Sequence, residues 1–302
     1  MPPTHRFQVL STHNGLRIDQ AISAHLPEVS RGLAKKTLDA GGVFVDKKRV
    51  KIAARIVYKG QQVEVNLPQV AVLKALKSTQ PTTITLVEQT EMYLIVDKPS
   101  GVFSAPTQET DQNDLLHFLR MQLNIKEVTS RDKEEQSLYL VHRLDRPTSG
   151  LMVLARTKAA ATELSAQLVS RQMSRQYLAL LVGSVPDEIS VEKRIQEKEA
   201  RTDFVLKEFA GGLSLVEAKL QTGRTHQVRI HAEHLSAPVA GDSKYGRRLQ
   251  RVLPSRPPRM ALHASVLELI DPTTGRPKRF ESEFPPELTT WWRSIHRGST
   301  SD

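Results

Sequence analysis

A chain of 302 residues, 39% of them hydrophobic, is long enough for about two domains and carries enough apolar material for ordinary cores. It has no Cys, which excludes disulfide scaffolds, thiolate metal sites and thiol nucleophiles and fits a reducing, cytoplasmic compartment. The formal charge of +10 favours a polyanionic partner, and it is uneven: 11 of the 43 Lys and Arg but only 5 of the 33 Asp and Glu fall in residues 1–70.

Met1–Gly15 is polar and no apolar run approaches the ~18 residues of a span, so neither a secretory signal nor a membrane segment is expected. Residues 17–66 then read as a compact basic unit. Arg17–Leu26 places Ile18, Ala21, Ile22 and His25 or Leu26 at helical spacing, and Pro27 closes it. Ser30 is the expected N-cap of a second helix, Arg31–Ala40, which ends at Gly41-Gly42 and groups Arg31, Lys35 and Lys36. Val43–Val45 and Val63–Val65 read as strands, with Lys47, Lys48 and Arg49 in a turn between them. Such a unit, with Arg17 at its entrance, can grip phosphates whatever the base sequence; the plain alternative is a solubilising surface. Aromatics are too sparse here for stacking to be its main means of binding.

Residues 67–82 lack a single period and read as a linker. The larger body opens with strands at Ile84–Val87 and Tyr93–Val96, then Lys98-Pro99-Ser100-Gly101, a polar segment, and a helix over Leu115–Leu123. Thr129–Ser137 is a charged loop. Leu151–Leu154, Tyr177–Val182, Leu213–Leu220, Gln227–His231 and Leu262–Leu269 read as strands and Ala159–Leu168 as a helix, a pattern predicting one mixed α/β sheet domain. No internal repeat interrupts it.

Two polar clusters could carry chemistry. In His142-Arg143-Leu144-Asp145, an extended backbone puts Arg143 and Asp145 on one face and His142 and Leu144 on the other, before a turn leads into the strand. Asp145 either enters a cleft or caps the turn. In Leu220–His231, a strand beginning near Gln227 would align Gln227, Arg229 and His231 on a polar wall while Val228 and Ile230 enter the core. An Arg there could hold a carboxylate ionised and oriented, or merely brace a turn. Further on, Lys244, Arg247, Arg248, Arg251, Arg256 and Arg259 form a run with no acid between its ends, suited to a lip over a nucleic-acid backbone. Pro254, Pro257 and Pro258 argue against one continuous helix there.

The stretches DKPSG (97–101), HRLDRPTSG (142–150), QYLALLVG (176–183), LQTGRTHQVRIHAEHLSAPVAGDSKYG (220–246) and LHA (262–264), in this order, closely resemble the RluA-type RNA pseudouridine synthases. RIDQAISAHLPEVSR (17–31) and GGVFVDKKRV (41–50) resemble their N-terminal S4-like RNA-binding domain. The resemblance spans about residues 15 to 290. It implies an α+β fold: a mixed, largely antiparallel catalytic sheet over 83–296, an S4-like domain over 15–70 and a linker over 71–82.

By the same resemblance, Asp145 is the essential aspartate, Tyr177 stacks on the target base and assists proton removal, and Arg229 pairs with Asp145. Arg143 resembles the arginine that supports the flipped nucleotide or fills its place, with Leu220, Arg224, Gln227 and His231 supporting the pocket. The implied reaction breaks the C1′–N1 bond of a uridine, rotates the retained uracil and joins C5 to C1′, with Asp145 attacking C1′ or C6 or acting as a base. It needs no cofactor or metal, and the implied substrate is structured RNA, ribosomal rather than transfer RNA, handled by a monomer. The family's common motif departs at VFSAPTQET (102–110) and at Gln176, where Lys is usual, which bears on substrate contacts. A noncatalytic RNA-binding or ribosome-assembly factor is the alternative. The histidines lack metal-ligand spacing and no glycine-rich dinucleotide fingerprint follows an initial strand, which disfavours a metallonuclease or a redox enzyme.

Overall fold

The computed structural model describes residues 4–27, 29, 31–67, 83–106, 114–125, 138–246 and 249–298. The expected linker, Ser30, the charged segment 129–137, Arg247 and Arg248 therefore lie outside the described residues. The chain divides into two compact units, Met1–Thr83 with Pro106–Phe118, and Ile84–Ala105 with Leu119–Asp302.

In the first unit, α1 (Ile18–His25) and α2 (Arg31–Asp39) accompany a four-stranded sheet of β1 (Thr4–Gln8), β2 (Val43–Val45), β3 (Lys48–Val50) and β4 (Gln62–Asn66), in the order β1-β4-β2-β3. Ile18, Ala21 and Ile22 of α1 and Ala34 and Leu38 of α2 bury against alternating valines: Val43, Val45, Val50, Val63 and Val65. The side chain of Asp19 joins the helices, accepting from Arg17 at 3.0 and 3.2 Å and from Arg31 at 3.2 Å. Helix α2 stops where Gly41 turns left-handed, φ 76°, a conformation that costs a residue with a β-carbon far more. The turn expected at Lys47–Arg49 is instead Asp46-Lys47, both at positive φ, so Lys48 and Arg49 belong to β3. Such paired left-handed residues make the tight turn that matches strand twist, and the Asp46 carboxylate supports it by accepting from Gln62 N at 2.9 Å and Gln61 Nε2 at 2.8 Å. Strand β1 has no counterpart among the expected elements; its polar alternation pairs Thr4–Gln8 with β4.

The second unit is built on a ten-stranded sheet. Its path runs β10 (Glu188–Glu192), β11 (Arg201–Ala210), β12 (Leu213–Leu220), β9 (Ser174–Val182), β13 (Leu262–Ile270), β8 (Ser149–Ala155), β6 (Tyr93–Lys98), β5 (Thr85–Gln89). Two further strands pair off this path, β7 (Tyr139–Leu140) with β8 and β14 (Pro277–Glu281) with β13. All neighbours are antiparallel except β8 and β13, which run parallel over His263–Ser149 and Ala264–Gly150. That single parallel join makes the sheet mixed and largely antiparallel, as expected.

Strand β8 is buried at every position, which explains its unbroken small and apolar sequence. Its first turn demands glycine: at Gly150, φ 115°, a β-carbon would lie 2.3 Å from the Ala264 carbonyl oxygen and 2.5 Å from its nitrogen. Helix α3 (Leu115–Gln122) is tied to the start of this sheet by Gln122, whose side chain donates to Ile84 O and accepts from Ile84 N, each at 2.9 Å. Helix α4 (Lys158–Val169), capped by Thr157 accepting from Ala160 N, packs Ala160 and Leu164 on Tyr93, Ile95, Leu151 and Val153. Helix α6 (Pro286–Gly298) sets Leu288, Trp291, Trp292 and Ile295 at i, i+3, i+4 and i+7 against Leu180, Val182 and Leu213. Among the described residues no helix is long and apolar enough to cross a membrane.

The segment Gln227–His231 overturns its expected strand. It forms helix α5 (Gln227–His234), entered through His226 in the left-handed region at φ 57°. Val228 and Ile230 alternate with polar residues as a strand would, but in the helix Gln227 and His231 are one turn apart and share a face that Arg229 leaves.

Candidate active site

Two loops of the second unit fix Asp145. Segment 141–148 leaves β7 extended, with Leu144 buried and Arg143 exposed, the alternation expected from sequence. His142 turns inward, its Nε2 accepting from Val153 N at 3.2 Å, and burial draws its pKa down to about 3, so it is neutral. Ser104 clamps the residue before Asp145, its Oγ donating to Leu144 O at 2.7 Å and accepting from Leu144 N at 3.0 Å. Asp145 O accepts from Thr148 N at 3.0 Å, closing the turn.

The DKPSG stretch is the partner of this loop. Gly101 N donates to Arg146 O at 2.7 Å, Arg146 Nε returns a bond to Gly101 O at 2.9 Å, and Ser100 Oγ donates to Pro147 O at 2.7 Å. Arg146 also lies over the Phe103 ring at 4.7 Å. Lys98 is wholly buried, and its Nζ reaches Pro99 O at 3.0 Å, Val102 O at 2.9 Å and Arg146 O at 3.5 Å. Burial draws its pKa down to about 7, opposed by Asp145, while three carbonyl acceptors match the three donors of an ammonium.

Helix α5 brings Arg229 to the carboxylate. Its Nη1 donates to Asp145 Oδ2 at 2.9 Å, while Nε and Nη2 grip Asp242 at 2.7 and 3.0 Å. Asp242 is 1% exposed and its Oδ1 also accepts from Lys244 N at 2.8 Å and Tyr245 N at 3.1 Å. Burial raises the pKa of Asp242, but these donors prevail and hold it below the ordinary value. The guanidinium is thus shared, one arm for Asp145 and two for Asp242. Among the described residues no group donates a hydrogen bond to Asp145 Oδ1; His226 Nε2 stands 3.7 Å from it.

Tyr177 occupies β9 between Ala218 of β12 and Ala264 of β13 and is 6% exposed. Burial raises its pKa; Arg175 opposes this and the Asp145 charge adds to it, which places the phenol within the field of both. Arg175 runs beside Gly223, where a β-carbon would meet its guanidinium at 3.0 Å.

The remaining expected pocket residues divide. Gln227 is scaffold: its Oε1 accepts from Thr222 Oγ1 at 2.7 Å and Arg224 N at 3.0 Å, and its Nε2 donates to Arg201 O and Thr202 Oγ1. His231 has no exposure, donating from Nε2 to Lys193 O at 3.0 Å, which leaves Nδ1 to accept from Thr202 Oγ1 at 2.9 Å. Leu220 is half-buried at the end of β12, and Arg224 is exposed with Nε on Glu199 O at 3.0 Å. Gln227 and Arg224 thus fasten the 220–226 loop and His231 ties α5 to β11 and Lys193, and none of these hydrogen bonds reaches the carboxylate. Sequence reasoning misses Asp242, Lys98, His226 and Tyr245 as members of this site, although Lys98 sits inside DKPSG and the other three inside the stretch 220–246.

Of the expected RNA contacts, Arg17 and Arg31 are engaged with Asp19, whereas Lys35, Lys36, Lys47, Lys48 and Arg49 are exposed, the last over the Phe44 ring at 5.3 Å. Lys244 is exposed with Nζ 5.2 Å from the centre of the Tyr245 ring, and Arg251 and Arg256 are exposed. Arg259 leaves the basic run, pairing with Glu287 at 2.9 Å. Among the described residues no three His, Asp or Glu side chains are grouped as a metal site would require.

Comparison with known proteins adds to this geometry. The RNA pseudouridylate synthase family model matches residues 92–234, and the S4 domain model matches residues 16–63. The ribosomal large subunit pseudouridine synthase D of Pseudomonas aeruginosa is 32% identical over 94% of this chain and 92% of its own, and that of Xanthomonas campestris pv. campestris 30% over 94% and 90%. The solved structure of human RNA pseudouridylate synthase domain containing 1 covers 70% of this chain and 89% of its own, with a TM-score of 0.56 and 28% identity. With an aspartate and an arginine paired beside a mixed sheet, and relatives at least 30% identical over nine-tenths of both chains, the chain belongs to the RluA-type RNA pseudouridine synthases that carry an S4 domain.

Proposed function

We propose that this enzyme isomerises uridines of large-subunit ribosomal RNA, with Asp145 as the reacting carboxylate. The observation that carries the reading is the divided fork of Arg229. Because Asp242 takes two of its nitrogens, Asp145 is oriented through Oδ2 alone and keeps Oδ1 free to engage the ribose or base. The loops around Ser104 and Gly101 fix the backbone on either side, so little reorganisation remains once substrate enters. That support fits attack at C1′ or C6, or removal of a ribose proton, each beginning from the ionised form.

The target base must leave its stack, at a cost of a few kcal/mol that is least in loops and bulges. Tyr177 returns part of this by stacking, about 1–3 kcal/mol for a base on an aromatic ring. Arg143, exposed beside Asp145, supports the extruded nucleotide. Gln227 and Arg224 support the pocket by fastening the 220–226 loop, Leu220 by ending the strand that leads into it, and His231 by anchoring the helix that follows it. The S4-like domain, residues 15–70, joined through linker 71–82 to the catalytic domain, residues 83–296, supplies sequence-independent grip through Lys35, Lys36, Lys47, Lys48 and Arg49. Arg17 and Arg31 shape that surface through Asp19, and Lys244, Arg247, Arg248 and Arg251 add a second basic edge. The chain works as a monomer, in a reducing compartment, without cofactor or metal.

The ribosomal preference is supported by the S4 match and by relatives whose names place their action on the large ribosomal subunit. Tritium release from uridine C5 tests it, using separate pools of ribosomal and transfer RNA made without pseudouridine. Release from large-subunit RNA is expected; release confined to transfer RNA would overturn the substrate, and tight binding without release from either would overturn the activity.

A further inference from the structure

Completing the isomerisation requires an acceptor for the C5 proton. Once C5 has bonded to C1′ that carbon is tetrahedral, and its C–H pair must become the C5=C6 bond while the C6=N1 pair takes up a proton. Few described groups near Asp145 can serve. Arg229 is held charged by two carboxylates, and Lys98 directs its Nζ to three backbone carbonyls. Burial raises the pKa of Tyr177, which makes its phenolate scarce at neutral pH.

His226 is placed differently. Its Nε2 lies 3.7 Å from Asp145 Oδ1, the oxygen that Arg229 leaves free. Its Nδ1 is 2.9 Å from Tyr245 Oη, and the two rings meet edge to face at 5.6 Å. With Tyr245, Arg194, Ile195 and Lys244 it lines an open cavity of about 330 Å³. Its backbone is left-handed at the entry to α5, where its carbonyl accepts from Ile230 N at 2.9 Å, while its side chain makes no cap to the helix and is left to face Asp145 and Tyr245.

We propose that His226 is a second catalytic residue that takes the C5 proton at Nε2, with Tyr245 as a positioning residue whose oxygen accepts from Nδ1–H and keeps Nε2 unprotonated. This rests on Asp145 being the reacting carboxylate. The C5–H pair becomes the C5=C6 bond, N1 takes a proton from water, and the imidazolium sits between the Asp145 carboxylate and Tyr245 Oη. It then returns its proton to water through the cavity. The groups facing the ring suit a proton acceptor. Burial, Arg229 and Lys244 lower its pKa, Asp145 and Asp242 oppose them, and Arg194 lines the same cavity. The first set prevails, so the resting imidazole is neutral and able to accept.

The test is single-turnover reaction of the full chain on RNA bearing hydrogen or deuterium at C5 of the target uridine. In His226→Gln the rate should fall ~10²–10⁴-fold, the usual worth of a positioned acid or base, with RNA affinity unchanged and a deuterium isotope effect larger than the wild type's. Tyr245→Phe should show a smaller loss with an isotope effect in the same direction. His226→Asn, which suits the left-handed backbone, should behave as the Gln variant and so separates the ring from the fold. The proposal is overturned if either His226 variant stays within about threefold of wild type, well short of that loss, or is slowed equally on both isotopes. Failure of the Asp145 reading looks different: an Asp145→Asn enzyme would still turn over.

Discussion

Asp242→Asn removes the charge that holds two arms of Arg229 while keeping the side chain's size. The carboxylate is almost fully buried and accepts four hydrogen bonds, two from the guanidinium and two from the backbone of Lys244 and Tyr245. An amide turns one donor toward these donors and leaves Arg229 with a single carboxylate partner. Breaking a buried pair from one side costs about 3–5 kcal/mol, and because Asp145 remains, the lower end, about 3 kcal/mol, applies. For a unit of this size that is a loss of roughly 6–12 °C in Tm. Fluorescence reads it cleanly, since the chain's two Trp, Trp291 and Trp292, both lie in α6 and report the second unit alone. The pH dependence follows from the lowered pKa of Asp242. Its contribution is present above the unfolded value near ~3.9 and is lost as pH falls through the folded one, so the gap between wild type and variant should close below about pH 4. A loss under about 2 °C at neutral pH, or a gap unchanged into acid, would refute this reading of the shared fork.

Gly150→Ala should destabilise the second unit by about 4 kcal/mol or more, because a β-carbon 2.3 Å from the Ala264 oxygen must force β8 from β13. A urea midpoint by Trp fluorescence checks it, and a change under about 1 kcal/mol would show that the strands yield cheaply. Replacing Lys35, Lys36 and Lys47 together by Ala should weaken RNA binding and make the slope of log affinity against log salt shallower by about 2–3, while leaving turnover at saturating RNA intact; an unchanged slope would remove them from the RNA surface. Tyr177→Phe should keep its stacking, whereas Tyr177→Leu should lose about 1–3 kcal/mol of productive substrate binding; equal behaviour of the two in single-turnover titrations would deny the ring a base-stacking role.

The elements legible in sequence are those whose pattern admits one solution. Ile18, Ala21 and Ile22 fit a helix face, Val43–Val45 is bounded by Gly42 and a turn, and Leu213–Leu220 is a strand with the limits its sequence suggests. Gln227–His231 is not legible, since Val228 and Ile230 alternate with polar residues as readily in a strand. The helix follows from tertiary bonds of Gln227 and His231 to Thr202 and from the left-handed turn at His226, none of which leaves a local signal. Lys48 and Arg49 read as turn residues because a run of charge resembles irregular structure, yet an edge strand carries charge well. At the site, the pairing of Asp145 with Arg229 is visible as a chemical need, and the structure meets it at 2.9 Å. Asp242 is not visible. A buried carboxylate between Gly241 and Ser243 looks in sequence like any turn aspartate until folding brings Arg229 against it.

The most direct measurement is Asp145→Asn, compared with wild type for RNA affinity and for single-turnover tritium release from uridine C5. The variant should bind RNA as tightly as wild type and release no tritium above background. Release at a rate comparable to wild type would contradict the assignment of Asp145 as the reacting group, and would move the chemistry to another residue of the same chamber.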